Sequence, residues 1–192
     1  MGDCALTVVY LIEGKNELPA NGDLRAELHK ELGTMRIPRV YIETSVFNFA
    51  FADDAPDKKN DTLELFEEIK EGLYDPYTSD YVLQELKRAA EPKQGLMIDL
   101  IDRYRMTFLE QNDEAERLAS IYVFEGIFSE KFFTDAVHIA VATVNDLDFI
   151  VSFNFRHIVK RRTMTMTEGI NIREGYKRIG IHSPTEVIEG EE

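Results

Sequence analysis

Apolar positions in this chain fall into short blocks that switch between strand-like and helix-like spacing. Residues 5–12 form an apolar run of strand length, and residues 23–32 place Leu24, Leu28 and Leu32 on one helical face. A second beginning follows Gly33 at Met35, where residues 36–42 lead into a strand with Val40 and Ile42 facing one way. Residues 61–70 have helical spacing, with Leu63, Phe66 and Ile69 three apart, Leu65 broadening the buried face and Gly72 as the stop. Residues 74–78 read as a short strand containing Pro76. Ser79 is then a good N-cap for a helix through Arg88, which Pro92 closes.

The pattern continues with a helix over about 93–104, a strand over 106–109 and a helix over 114–124 with Gly126 as its C-cap. Thr134 opens a helix in which Ala136, Val137, Ile139, Ala140, Val141, Ala142 and Val144 leave almost no polar face, so this helix is expected to be central and buried. Residues 149–153 are an apolar run of buried-strand length; another helix follows, and residues 179–181 make a last strand before Pro184. Strands separated by helices of these lengths predict an α/β fold with a mainly parallel sheet. No internal repeat interrupts the series.

Composition narrows the function classes. The 192 residues carry 22 Lys and Arg against 36 Asp and Glu, a formal charge of −14, with hydrophobics at 44%. That is enough apolar material for a real core. The single cysteine, Cys4, excludes a disulfide framework or a multi-cysteine zinc site and is compatible with a reducing cytoplasm. The run over 5–12 is much shorter than the roughly 20 residues of a membrane span, and no basic segment precedes it as in a signal peptide. A cytoplasmic protein without a membrane partner is therefore expected. An acidic total argues against broad wrapping of nucleic acid, because cations must replace the phosphate counterions. The distribution matters more: residues 156–178 hold Arg156, Lys160, Arg161, Arg162, Arg173, Lys177 and Arg178 against only Glu168 and Glu174. Such a segment either grips a polyanion or forms a solvated face.

In a parallel sheet, ligands collect outside the carboxyl ends of the strands. Glu43 directly follows the strand ending at Ile42, Asn154 directly follows the strand ending at Phe153, and Asp135 sits in the first turn of the most apolar helix. Glu85, between Leu83 and Leu86, is the fourth candidate. Each has a bland alternative: a solvated face for Glu85, pairing with the helix dipole for Asp135. Three carboxylates and one amide together suit a hard divalent cation such as Mg²⁺, which prefers oxygen ligands. His138, one turn after Asp135 on the same side, is expected to be a core histidine rather than a ligand. Phe47, Phe49, Phe51 and Phe153 either stack on unpaired bases or fill the core or a dimer contact.

The segments Val40-Tyr-Ile-Glu-Thr-Ser45, Ser79-Asp-Tyr-Val-Leu-Gln-Glu-Leu86, Asp135-Ala-Val-His-Ile-Ala140 and Val151-Ser-Phe-Asn-Phe-Arg-His-Ile158, in this order, resemble a PIN domain of the VapC-like toxin branch. So does the ending, Asn171-Ile-Arg-Glu-Gly-Tyr176 through Ser183-Pro-Thr-Glu-Val187. The resemblance spans about 35–188. It implies a three-layer α/β/α domain that cuts RNA with Mg²⁺ or Mn²⁺ in an acidic cluster, paired with a cognate antitoxin. Glu43 falls where the family usually has its first Asp, Glu85 on its Glu and Asp135 on its central Asp. Asn154 falls where many members carry a further Asp. On this resemblance Glu43, Glu85 and Asp135 hold the metal, and Asn154 orients a water or a neighbouring ligand. Thr44 and Ser45, at the family's hydroxyl positions, either contact the scissile phosphate or cap the helix that begins there. Arg156, Lys160, Arg161 and Arg162 are the expected RNA contacts.

The departures at Glu43 and Asn154 keep an alternative open, a PIN-fold module that binds RNA or protein without cutting. Residues 1–34 are expected to be an N-terminal extension to a nuclease domain of residues 35–192, and a homodimer is compatible with the sequence.

Overall fold

The computed structural model describes residues 36–188. Its elements run β1 (Arg39–Ile42), α1 (Thr44–Phe49), α2 (Pro56–Lys70), β2 (Asp75–Ser79), α3 (Asp80–Leu86), α4 (Lys93–Arg103), β3 (Thr107–Leu109), α5 (Asp113–Phe124), α6 (Phe133–Val144), β4 (Phe149–Val151), α7 (Arg161–Arg173) and β5 (Gly180–His182). Single 3-10 turns cover Glu130–Phe132 and Pro184–Glu186. The strand and helix expected over residues 5–12 and 23–32, and the boundary after residue 34, lie outside the described residues.

Among the described residues the five strands are all parallel, in the order β3-β2-β1-β4-β5. β1 sits at the centre, and Val40, Tyr41 and Ile42 are fully buried, as a strand covered on both faces requires. Pro76 is tolerated in β2 because β3 begins to pair only at Tyr77. From β1 the chain steps outward in one direction to β2 and β3, then crosses back to β4 and β5 on the other side. Right-handed crossovers place the helices of these two journeys on opposite faces. Accordingly α1 touches α2, α3 and α4, while α5 lies along α6, which gives the three-layer α/β/α arrangement. The α6 residues Ala136 through Thr143 are all buried, as their unbroken apolar character predicts.

Local signals mostly end the elements where expected. Gly72 (φ +82°) and Gly126 (φ +74°) close α2 and α5 in the left-handed conformation that glycine adopts without strain, and the next amides, of Leu73 and Ile127, reach back to the carbonyls of Glu68 and Tyr122 at 3.0 Å. Three expectations need correction. The α2 helix starts at Pro56, not Asp61, because proline fits the first turn. Its buried face is Thr62, Leu65, Phe66 and Ile69, while Leu63 is 44% exposed. Ser79 occupies the N-cap position of α3 but makes no capping bond with its side chain, which pairs instead with Tyr41.

The strand order reverses between β1 and β4, the place where open α/β sheets form a crevice outside the carboxyl ends of the strands. Glu43 leaves β1 into that crevice, and Ser152, Phe153 and Asn154 leave β4. α6 runs into β4 and therefore presents its N-terminal turn, with Asp135, at the same end of the sheet.

Candidate functional site

Glu43 is the residue between β1 and α1, in extended conformation, and its own carboxylate caps α1 by accepting the Ser45 amide at 3.1 Å. Only 5% of it is exposed. The same oxygen, Oε2, accepts the hydroxyls of Ser45 at 2.5 Å and Ser152 at 2.8 Å. Each serine also accepts a backbone amide from the segment after β4: Phe153 N–H donates to Ser45 Oγ at 2.8 Å, and Asn154 N–H to Ser152 Oγ at 2.9 Å. Two serines thus fasten the acid to both walls of the crevice. Charge-assisted bonds of this kind hold a carboxylate in one orientation.

Glu85 reaches the site from α3. Its Oε2 accepts the Thr44 hydroxyl and bonds His138 Nε2 at 3.1 Å. His138 is 1% exposed, and its other nitrogen, Nδ1, bonds the Tyr41 hydroxyl at 2.9 Å. Tyr41 in turn bonds Ser79 Oγ at 2.6 Å, so a buried chain runs Glu85–His138–Tyr41–Ser79. Burial is the largest influence on Glu85 and pushes its pKa up, yet the His138 and Thr44 bonds and Arg88 carry it below the usual carboxylate value. Burial likewise pushes His138 down, and the Glu85 bond with the charges of Glu43, Glu85 and Asp135 reverses it to a net rise. Both shifts favour the charged forms, and a protonated imidazole would make the contact an ion pair with Nε2–H donating.

Asp135 lies half-buried in the first turn of α6. Burial, then repulsion from Glu43 and Glu85, pushes its pKa up to about 6, while His138 and the Asn154 amide work the other way. Asn154 Nδ2 donates to Asp135 Oδ1 at 3.1 Å.

Among the described residues, Glu43, Glu85 and His138 bring donor atoms within 4.8 Å of one another, a set that could hold a metal ion. Two of the three expected ligands are in it. Asp135 stands outside this set, although its protonation responds to all three members. His138, expected to be a core residue, is both: fully buried and facing the acids. The signal that could have found it was its position three residues after Asp135, on the same helical side. Tyr41, Ser79 and Ser152 gave none, since a tyrosine in a strand and two serines look like packing and loop residues. Thr44 and Ser45 divide their hydroxyls between Glu85 and Glu43, and the cap of α1 is Glu43 rather than either. Asn154 is engaged at both ends, because its Oδ1 accepts the His157 amide at 3.1 Å. It thereby positions both Asp135 and the following turn.

The basic segment splits in two. Arg173 pairs with Glu125 at 2.8 Å and Glu174 at 3.2 Å, Lys177 with Asp146 at 3.3 Å and Arg178 with Glu168 at 2.9 Å. Arg156, Lys160, Arg161 and Arg162 instead line a cavity of about 250 Å³ with His157 and Thr163. Arg162 donates to the Gly126 carbonyl at 3.0 Å. His157 stacks on Phe132 with ring centroids 3.8 Å apart, and burial, then Arg156, Lys160 and Lys131, lower its pKa. Of the aromatics, Phe47 and Phe153 are buried, and Phe49 and Phe51 are partly so.

Among the described residues no helix is long and apolar enough to cross a membrane. No family model matches the sequence, and no curated protein matches it. Among solved structures, the chain is similar to one in the crystal structure of VapBC2 from Rickettsia felis bound to a DNA fragment from its promoter, at 13% identity over 76% of this chain and 98% of that one, with a TM-score of 0.47.

Proposed function

We propose that this chain is a metal-dependent endoribonuclease that hydrolyses RNA phosphodiester bonds in the cytoplasm, as the toxin of a toxin–antitoxin pair. The observation that carries this reading is the convergence of Glu43, Glu85 and His138 within 4.8 Å beside the half-buried Asp135, at the point where the strand order reverses. The four sequence segments that resemble VapC-like PIN domains contain the same acids.

The donor set fits a divalent ion. Glu43, Glu85 and Asp135 would hold it through oxygens, as Mg²⁺ or Mn²⁺ requires, and the adjacent imidazole tilts the preference toward Mn²⁺. When bound, such an ion polarises a phosphoryl oxygen and lowers the pKa of water. The chain's residues prepare that site. Ser45 and Ser152 fix Glu43, Thr44 and His138 fix Glu85, and Asn154 fixes Asp135, so each carboxylate has an orienting donor. The cavity of Arg156, Lys160, Arg161 and Arg162 receives the RNA phosphates. An acidic segment of the antitoxin would compete for the same cations.

One observation favours a second reading, a module that binds RNA or protein without cutting. The donors already bond one another, Glu85 with His138 and Asp135 with Asn154, so the cluster is satisfied without a cation. Incubating a mixed RNA pool with the chain in Mn²⁺, in Mg²⁺ and in chelator separates the two. Nuclease activity predicts cutting with metal only; RNA left whole in all three, by a chain that still binds it, establishes the silent module.

A further inference from the structure

We infer that Phe155 and Lys58 form a subsite for one unpaired nucleotide of the RNA, in the turn that links the acidic cluster to the basic cavity. This rests on the RNA reading and adds residues that the sequence segments do not single out.

Three rings from two parts of the chain meet here. Phe49, at the end of α1, meets Phe153 edge-on at 4.8 Å, and Phe153 meets Phe155 edge-on at 6.4 Å. Phe153 is buried and serves as the base, whereas Phe155 is 48% exposed. Lys58, on α2, holds its ammonium over all three, at 4.5 Å from the Phe49 centroid, 5.7 Å from Phe153 and 5.8 Å from Phe155. The nearby Asp53 is taken by Lys59 at 2.6 Å, and among the described residues Lys58 makes no bond to a carboxylate. A cation resting on ring faces rather than on an acid is free to turn to a phosphate.

The ring is held outward by backbone rather than by chance. Asn154 O accepts the amides of Ile158 at 2.9 Å and Val159 at 3.0 Å, and Asn154 Oδ1 accepts that of His157 at 3.1 Å. Ile158, fully buried, anchors the far side of this turn. Asn154 therefore sets both Asp135 and the bend that presents Phe155. Arg156, the next residue, already lines the basic cavity. Within three consecutive residues the chain offers a contact to the acidic site, an exposed aromatic face and a phosphate-binding cation. Every base has a π face, so a ring flanked by cations suits unpaired RNA of any sequence.

A short single-stranded RNA carrying 2-aminopurine at successive positions, titrated in chelator so that nothing is cut, tests this. In the intact chain one position is expected to lose fluorescence as its base stacks. Phe155→Ala is expected to bind roughly 5- to 150-fold more weakly and to abolish that quenching, and Phe155→Tyr to restore both. Lys58→Gln is expected to lower the salt slope by about 0.7, the value for one phosphate neutralised on a single strand. Binding by the intact chain with no quenched position, or equal affinity in Phe155→Ala, overturns the subsite and leaves the RNA reading standing. An intact chain that binds no RNA overturns both.

Discussion

Asn154 donates to the Asp135 carboxylate at 3.1 Å, tying the loop after β4 to the first turn of α6. The bond makes the two residues one unit. Asn154→Asp replaces the donor by a second carboxylate against the first. Two effects of opposite sign are expected: metal-free stability at pH 7 falls by about 1–3 kcal/mol, and divalent affinity rises. Thermal unfolding with and without Mn²⁺ reads both. A variant as stable as the intact chain and no better at binding Mn²⁺ would place Asn154 outside any role at the cluster.

Asp135 carries a cost of its own. Its pKa in the folded chain, about 6, lies above its ordinary value of 3.8, so the folded state holds its proton more tightly than the unfolded one. Stability from this group is present below the unfolded pKa and is lost as pH rises through about 6. Asp135→Asn removes that loss. Without metal the variant should be more stable by about 1–2 kcal/mol at pH 7, once screening at the half-buried carboxylate is allowed for, with the gain shrinking toward zero near pH 4. Denaturant unfolding across this pH range measures it. A gain that is flat across pH would assign the effect to something other than titration of Asp135.

Ser45 serves two walls of the crevice, donating to Glu43 and accepting the Phe153 amide. Ser45→Ala leaves a buried carboxylate short of one donor and a backbone amide without its acceptor. A loss of about 1–3 kcal/mol follows, or very roughly 2–10 °C in Tm for a chain of this size. Unchanged melting would mean that water replaces both bonds and that Ser152 alone orients Glu43.

The two halves of the basic segment give a matched comparison. Replacing Lys160 and Arg161 by Ala should weaken RNA binding and lower the salt slope by about 0.7 for each phosphate no longer neutralised. The same change at Lys177 and Arg178, which pair with Asp146 and Glu168, should leave it unaltered. Equal slopes in both variants would make the cavity a solvated face.

Much of the frame was legible because it depends on local chemistry. The unbroken apolar string of α6, the glycines after α2 and α5, and the acid directly after β1 all speak through spacing alone. What was not legible depends on which elements approach each other. Leu63 and Phe66 share helical spacing, but only the neighbours of α2 decide that Thr62 and Leu65 face inward and Leu63 outward. His138 reads as a core histidine until α3 brings Glu85 against it. Thr44 and Ser45 are adjacent hydroxyls whose division between Glu85 and Glu43 depends on how α3 is set against the start of α1. Arg173, Lys177 and Arg178 look like part of one basic stretch until Glu125, Asp146 and Glu168, distant or on other turns, neutralise them.

If Glu43 after β1, Glu85 on α3 and Asp135 on α6 cut RNA with a divalent ion, single-turnover cleavage of an RNA pool in Mn²⁺, comparing the intact chain with Asp135→Asn, shows it most directly. Cleavage by the intact chain that chelator abolishes is expected, with a loss of at least about a hundredfold in the variant while its fold and RNA binding persist. Undiminished, metal-dependent cleavage by Asp135→Asn, or no cleavage by the intact chain in any divalent metal, would contradict it.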